Sequence, residues 1–262
     1  FVPITATLPE NAMLRGFLLL CLLLAPVSPC FADAIDELNA AVKALERGQP
    51  ERARDLVKVV INDVHTSNEY KAMAYYLYSL AEKNPQEAIT YCAKAAELAP
   101  DNGRYHEKLG ILYFQAQQYE NAVKSLDKAI AVTPINAGAY SLRGLAYRES
   151  GQMEKALADM DKAISLDPSV PVFYARRGAA RFLAHQPDGA FEDLSKAVQS
   201  EALPRETRAN CYFYLAKIHM ERRQYDKAKE LLAASLRHLA QADKKREANL
   251  LLDQIKASEK WS

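Results

Sequence analysis

Residues His106–Pro134 read HEKLGILYFQAQQYENAVKSLDKAIAVTP, and residues Tyr140–Pro168, 34 positions further on, read YSLRGLAYRESGQMEKALADMDKAISLDP. The two stretches share small residues and prolines at equivalent positions, which are Gly110 and Gly144, Ala122 and Ala156, and Pro134 and Pro168. A third copy follows after the same interval around Gly178. A fixed period of this length predicts stacked supersecondary units instead of one globular core.

Each period has the composition of a helix, a tight turn and a second helix. The glycine of a period lies in the first apolar segment, and the alanine twelve residues later lies in the second. Short polar breaks such as Glu149–Gln152 separate the two segments and leave room only for a tight antiparallel hairpin. Asn102 and Asn136 precede first helices, where an asparagine side chain can cap the free N–H groups.

The order of the residues resembles a tetratricopeptide repeat, with His106 where that family has an aromatic residue. The residues that carry the resemblance in the first copy are His106, Leu109, Gly110, Tyr113, Tyr119, Ala122, Leu126, Ala129 and Pro134. Copies in phase follow from Tyr140 and from Tyr174, and weaker copies flank them. The resemblance implies an all-α, right-handed superhelical solenoid of about six helix hairpins.

The predicted array covers residues 33–242 and ends in a capping helix over residues 243–262. Its units are residues 34–67, 69–102, 103–136, 137–170, 171–204 and 209–242. The last unit follows after 38 residues, so we expect four extra residues to lengthen the loop Ser200–Pro204. In the capping helix, apolar residues shield the last repeat and cations face water. The apolar set is Ala248, Leu251, Leu252 and Ile255, and the cations are Lys244, Lys245, Arg246 and Lys256.

Two arginines that directly precede a repeat glycine, Arg143 and Arg177, each have an aspartate sixteen residues later, Asp159 and Asp193. In neighbouring units the same two sites hold neutral residues, for example Leu109 with Ser125. Because an unpaired buried charge costs several kcal/mol, we interpret each pair as a partly buried ion pair between helices. Coincidence among solvated charges is the alternative.

The N-terminal part contains a candidate secretory signal over residues 13–32. One arginine precedes a short apolar core that ends at Ala25, shorter than the roughly 20 residues of a membrane-spanning helix. Cleavage after Ala32 would give a periplasmic or secreted protein. Residues 1–12 precede Met13 and are expected to be unstructured and not translated. Two alternatives stay open: lipidation at Cys30, whose surroundings distantly resemble a lipobox, and retention of the segment as a membrane anchor.

Composition argues against several classes of function. The chain has 34 basic and 33 acidic residues, so no net field favours nucleic acid. Cys92 and Cys211 lie more than three repeats apart, so we expect buried thiols and no disulfide between them. The five histidines are scattered, and no metal-ligand spacing, nucleophile elbow or phosphate loop occurs. We therefore expect no catalytic residues, no metal and no cofactor.

The resemblance implies that the first helices line a concave groove that holds a protein or peptide partner. The residues assigned to this groove are Arg104, Lys108, Phe114, Arg148, Arg176, Phe182, Phe213 and Lys217, with Asn210 and Tyr214 on the same face as the last two. Arginine and exposed aromatic side chains are typical of interface hot spots. Alternatively, Phe114 and Phe182 cover seams between repeats and the charges are solvated.

One subclass of the family is excluded by these residues. Its members clamp a C-terminal carboxylate with asparagine at the groove position held here by Ile111, Leu145, Ala179 and Lys217. The predicted function is a non-catalytic scaffold or assembly factor of the bacterial cell envelope. A membrane-tethered chaperone or regulator and an accessory subunit of an enzyme complex are the alternatives, and membrane contact is expected only through a retained N-terminal segment or a lipidated Cys30.

Overall fold

The computed structural model describes residues 29–259, where the chain forms α-helices and no β-strand. In chain order the helices are α1 (Pro29–Glu46), α2 (Pro50–Asn62), α3 (Asn68–Ala81), α4 (Pro85–Leu98), α5 (Gly103–Gln115), α6 (Tyr119–Val132), α7 (Ala137–Glu149), α8 (Met153–Leu166), α9 (Pro171–Leu183), α10 (Pro187–Gln199), α11 (Arg205–Glu221), α12 (Tyr225–Leu236) and α13 (Ala242–Glu259). They divide into two compact units, one that ends at Ala146 and one that starts at Tyr147, within α7. The predicted all-α class of helical repeats is confirmed.

In the first unit, consecutive helices pair as hairpins: α1 with α2, α3 with α4, and α5 with α6. Leu38, Val57 and Leu77 are fully buried between the first of these helices. The asparagine caps predicted before α5 and α7 are present. The side chain of Asn102 accepts a hydrogen bond from Arg104 N at 3.2 Å, and that of Asn136 accepts one from Ala139 N at 3.0 Å.

In the second unit, α9 pairs with α10 and α11 pairs with α12, while α8 packs on α9. The repeat glycines let the paired helices approach closely. A Cβ atom at Gly178 would lie 2.7 Å from Leu194 Cγ, and in the first unit one at Gly110 would lie 2.6 Å from Leu126 Cγ. Such distances leave no room for a methyl group, which explains why glycine recurs with the repeat.

The turns inside the hairpins also repeat. Gln117, Gly151 and His185 lie 34 residues apart, and each has a positive φ, between 58° and 79°. In the first of these turns Gln118 N donates to Tyr113 O at 2.8 Å, and in the last Gln186 N donates to Arg181 O at 2.9 Å. This left-handed residue at the helix end satisfies otherwise free carbonyl groups and reverses the chain.

The four extra residues before the last hairpin lie in a helix, so the predicted loop extension is wrong. Helix α11 has 17 residues where α9 has 13, and the connection over residues 200–204 stays short. The added turn begins at Arg205, and the guanidinium of Arg208 donates to the carbonyl oxygens of Val198 and Ser200 at 2.6 and 2.7 Å. These bonds tie the start of the longer helix to the end of α10.

Helix α13 covers the last hairpin through the apolar face that was predicted. Ala248 and Ile255 are fully buried against Phe213, Ala216 and Leu232, with Leu251 and Leu252 partly buried beside them. Lys245 and Lys256 are exposed, as expected. The expectation that Lys244 faces water is wrong, because Lys244 is only partly exposed and packs onto α11.

Most of the predicted signal, residues 13–28, and all of residues 1–12 fall outside the described residues. Helix α1 begins at Pro29, ahead of the predicted mature start at Asp33. Among the helices of residues 29–259, none combines the length and the hydropathy needed to cross a membrane. Cys92 and Cys211 are buried free thiols, as predicted, and burial raises the pKa of each to about 12.

Candidate partner-binding site

Arg177 of α9 links three helices of the second unit. Its Nε and Nη2 donate to the two carboxylate oxygens of Asp193 on α10 at 2.8 and 2.6 Å, and its Nη1 donates to Asp161 on α8 at 2.7 Å. Arg181 adds a bond of 2.9 Å to Asp193. Hydrogen bonding to Asp193 raises the pKa of Arg177. The predicted pair of Arg177 and Asp193 is therefore present, within a network that includes two residues the prediction missed.

In the first unit, Arg143 of α7 donates to Asp127 of α6 at 2.6 Å. Asp127 precedes Arg143 by sixteen residues, as Asp161 precedes Arg177. This upstream aspartate recurs with the repeat and could have been found by searching in both directions from each arginine. The pair of Arg143 with Asp159 stays a prediction.

The predicted groove residues of the first unit lie on α5. Arg104 is exposed, while Lys108 and Phe114 are partly buried. The ring of Phe114 meets that of Tyr119 edge-on at 5.5 Å, where α5 turns into α6. Phe114 therefore covers a seam within its own hairpin, whereas the alternative interpretation placed it at a seam between repeats.

The predicted groove residues of the second unit gather on α7, α9 and α11. Phe182 and Lys217 are partly exposed, with the side chain of Lys217 at 30 %. Phe213 is only 1 % exposed and Arg176 only 4 %. The expectation of an exposed aromatic and an exposed cation at these two positions is wrong. Phe213 is covered because α13 packs against it.

Aromatic rings and ammonium groups alternate across the second unit. The rings of Phe182 and Tyr214 lie 5.4 Å apart, which joins α9 to α11. Lys217 Nζ lies 5.2 Å from the centre of the Phe182 ring, and Lys244 Nζ lies 4.9 Å from the centre of the Tyr214 ring. Both distances are within the range of cation–π attraction. Phe182 thus covers a seam and at the same time forms part of a charged, aromatic surface.

Arg148, at the end of α7, belongs to the same group. Its side chain is 15 % exposed and pairs with Glu149, with Nε at 3.0 Å from the carboxylate. Its positive charge contributes to lowering the pKa of Lys244, which burial brings to about 8. We refer to Arg148, Phe182, Tyr214, Lys217 and Lys244 as the cation–aromatic cluster.

Two members of α13 in this region were not predicted. Lys244 Nζ donates to Asn210 Oδ1 at 2.7 Å, and Glu247 accepts from Lys217 Nζ at 2.7 Å. The sequence places Lys244 on the polar face of an amphipathic helix, where solvation is the default expectation. Only the packing of α13 on α11 reveals this contact.

The remaining candidate sites are a histidine, possible metal ligands and a cleft. His219 is buried, with Nδ1 at 2.6 Å from Gln224 Oε1 and its ring edge-on to Phe191. Within residues 29–259, no group of three histidine, cysteine or carboxylate side chains could hold a metal ion. In the first unit, an open cleft of about 550 Å³ lies between α4, α5 and α6, lined by Leu109, Tyr113 and Ser125 among others.

Comparison with known proteins identifies the repeat. The tetratricopeptide repeat family model matches residues 107–171, which include the two stretches of clearest repetition except for His106. None of the curated proteins matches the chain in sequence. Solved structures, however, match it over large parts of its length.

A structure of MamA from Desulfovibrio magneticus RS-1 is 28% identical, with a TM-score of 0.57, over 64% of this chain and 94% of that one. A structure of PilF from Pseudomonas aeruginosa has a TM-score of 0.69 at 15% identity and covers 88% of this chain and 100% of that one. The structure of the Cut9–Hcn1 hetero-tetramer of the APC/C has a TM-score of 0.67 at 16% identity, over 85% and 43% of the two chains. The matched residues 107–171 are therefore tetratricopeptide repeats, and the 34-residue period and the close glycine contacts continue the same helical repeat in the neighbouring helix pair around Gly178.

Proposed function

We propose that this protein is a non-catalytic scaffold or assembly factor of the bacterial cell envelope. We further propose that it holds a segment of a partner protein against the first helices of its second unit. The tetratricopeptide repeat family, whose model matches residues 107–171, is one of protein-interaction scaffolds. The envelope location is supported by the candidate secretory signal over residues 13–32.

The observation that carries the proposal is the cation–aromatic cluster. Three helices and α13 hold its side chains in place, so little side-chain entropy remains to be lost when a partner binds. Phe182, Tyr214 and Lys217 are each partly exposed. A partner can therefore bury aromatic surface and pair with a cation in one contact, as interface hot spots do.

Site-specific crosslinking tests the binding surface. Benzoylphenylalanine replaces Phe182 or Tyr214 in the full chain, and replaces exposed Lys162 of α8 or Lys227 of α12 as controls. Irradiation in the cells that produce the protein should give the same crosslinked partner from positions 182 and 214 and none from the controls. Equal crosslinking from all four positions would contradict the assignment.

A charge-reversal pair tests whether the cations contribute. Arg148→Glu/Lys217→Glu should weaken binding of the identified partner by at least about tenfold. Lys162→Glu/Lys227→Glu makes the same change of charge on second helices of the same unit and should leave binding unchanged.

Determining the N-terminus of protein isolated from the envelope fraction tests export: a start near Asp33 is expected, while an intact Met13 would favour the tethered alternative.

A further inference from the structure

Helix α13 does more than cover the last hairpin. Its first turns place Lys244 against Asn210 and Glu247 against Lys217, both contacts at 2.7 Å to side chains of α11. Further along, Ala248 and Ile255 anchor the helix in the core. The cap therefore supplies one wall of the cation–aromatic cluster, and Lys244 is one of its charges.

Positive charge exceeds negative charge in this region. Among the described residues, the cluster has three cations, and each of the two carboxylates that contact them is paired with one cation. The cations are Arg148, Lys217 and Lys244, and the carboxylates are Glu149 and Glu247, so that three minus two leaves a net charge of +1. The cation without a carboxylate is Lys244, whose hydrogen bond goes to the neutral Asn210. The excess charge is held next to buried surface, where water screens it little.

The lowered pKa values of the buried cations agree with an excess of positive charge. Burial lowers the pKa of Lys244 to about 8, and the charge of Arg148 lowers it in addition. Burial likewise lowers the pKa of Arg176 to about 10, again with a contribution from Arg148. Lys244 therefore keeps its charge less readily than a solvated lysine, and an added negative charge beside it would be favourable.

The surface beside these charges is aromatic. The rings of Phe182 and Tyr214 are partly exposed, and their centres lie 5.4 Å apart. Burial raises the pKa of Tyr214, so its ring stays neutral at physiological pH. A ligand that fits both features carries a carboxylate and, close to it, an aromatic or large aliphatic side chain.

We infer that the cation–aromatic cluster binds an acidic peptide segment in which a glutamate or aspartate side chain lies next to a large apolar residue, and that Lys244 of α13 contacts the carboxylate. This inference rests on the proposed function and specifies the partner's chemistry. Charge-assisted hydrogen bonds to the carboxylate and burial of the apolar residue on Phe182 and Tyr214 supply the affinity. The site differs from the asparagine clamp excluded above, since its cation comes from the capping helix.

Fluorescence anisotropy with a labelled peptide of sequence Ser-Glu-Phe-Glu-Leu-Ser tests the inference on the full chain. The acidic peptide should bind at least about tenfold more tightly than the same peptide with Gln for Glu, or with Ala for Phe and Leu. Lys244→Met should weaken binding of the acidic peptide about tenfold. Lys245→Met, which changes an exposed neighbour on the same helix, should have no effect.

The pH dependence of peptide affinity tests the role of Lys244 with a variant that keeps the positive charge. The groups that face Lys244 are Arg148 and Glu149 of α7, Asn210, Cys211 and Tyr214 of α11, and Glu247 of α13. Since the pKa of Cys211 is raised to about 12 and that of Tyr214 is also raised, Lys244 is the group that loses its charge first as the pH rises above 7. Affinity for the acidic peptide should therefore fall between about pH 7 and pH 9, and Lys244→Arg should remove that fall.

If the peptides bind, either of two results would overturn the inference: equal binding of the Glu and Gln peptides, or a pH profile that Lys244→Arg leaves unchanged. If the acidic peptide does not bind while positions 182 and 214 still crosslink a partner, the inference is wrong and the proposed function stands. If the crosslinks are absent as well, both are wrong.

Discussion

The hairpin α5–α6 of the first unit and the hairpin α9–α10 of the second have the same helix-turn-helix architecture. They differ in the residues at one set of equivalent positions, which are neutral in the first and charged in the second. In the second, Arg177, Arg181 and Asp193 form an ion-pair network with Asp161. In the first, the equivalent residues, each 68 positions earlier, are Leu109, Tyr113, Ser125 and Ala93, and they line an open cleft of about 550 Å³.

The difference shows that the repeat backbone does not depend on what fills the space between its helices. Both hairpins keep the close approach at glycine: a Cβ atom at Gly110 would lie 2.6 Å from Leu126 Cγ, and one at Gly178 would lie 2.7 Å from Leu194 Cγ. The space beside that contact accepts either apolar groups or a fully paired set of charges, because each leaves few polar groups unsatisfied. A combination in which one charge of the network remains and its partner is replaced by a neutral residue should destabilise the hairpin.

The largest effect is expected from breaking the network. Asp193→Ser leaves Arg177 and Arg181 with one carboxylate fewer in a partly buried position, and should lower the free energy of unfolding by about 3 kcal/mol. Arg177→Leu/Asp193→Ser, which copies Leu109 and Ser125, should recover at least about 1 kcal/mol of that loss. Urea unfolding followed by circular dichroism measures both. A double variant as unstable as the sum of the single ones would contradict the comparison.

A smaller loss of stability, equal in the two hairpins, is expected from substitutions at the repeat glycine that both hairpins share. Gly110→Ala and Gly178→Ala each force a methyl group against a buried leucine and should cost about 2 kcal/mol. Gly151→Ala, at a turn with no atom within 4 Å but a positive φ of 79°, tests backbone strain alone and should cost about 1 kcal/mol. Unequal costs at the two helix glycines would show that the hairpins differ in backbone packing as well.

Replacing a carboxylate that is present in only one hairpin, Glu107, should raise the free energy of unfolding by about 1 kcal/mol. Glu107 of α5 accepts a hydrogen bond from Asn136 at 2.8 Å, and burial raises its pKa; the equivalent residue of α9 is Ala175. Because ionisation of Glu107 is less favourable in the folded chain, stability falls as the pH rises through its pKa. Glu107→Gln should therefore stabilise the protein at pH 7, and the gain should vanish near pH 4 in unfolding measured at both values.

The smallest effect is expected from an exposed pair of the second unit. Arg222 donates to Asp188 at 2.5 Å, but the Asp188 side chain is 90% exposed. Asp188→Ala should change the free energy of unfolding by less than about 0.5 kcal/mol. A loss comparable to that of Asp193→Ser would mean that burial does not explain the strength of the network.

Sequence reasoning predicted the helix pairs, the capping asparagines and the Arg177–Asp193 pair, since these depend on residues at fixed separations along the chain. It placed the four extra residues in a loop, whereas they add a turn to α11. The insertion has no helix-breaking residue between Arg205 and Asn210, but the sequence shows only that the period changes.

For the candidate site, the sequence identified the right helices and misjudged exposure. Phe213 and Arg176 lie on the faces assigned to the groove and are nevertheless buried. Lys244 was assigned to water and instead contacts Asn210. In each case the outcome depends on a helix that is distant in sequence or on the neighbouring repeat.

The sequence by itself determined the repeat, the positions of the helices and the close contacts at Gly110 and Gly178, because a methyl group at either position would lie too close to a buried leucine. Tertiary structure alone decided which cations are exposed, which are paired and which are left in excess. Burial and electrostatic interaction depend on the distances between helices and on the water that packing removes. The spacing of residues along one helix carries no information about the charge that another helix brings against it.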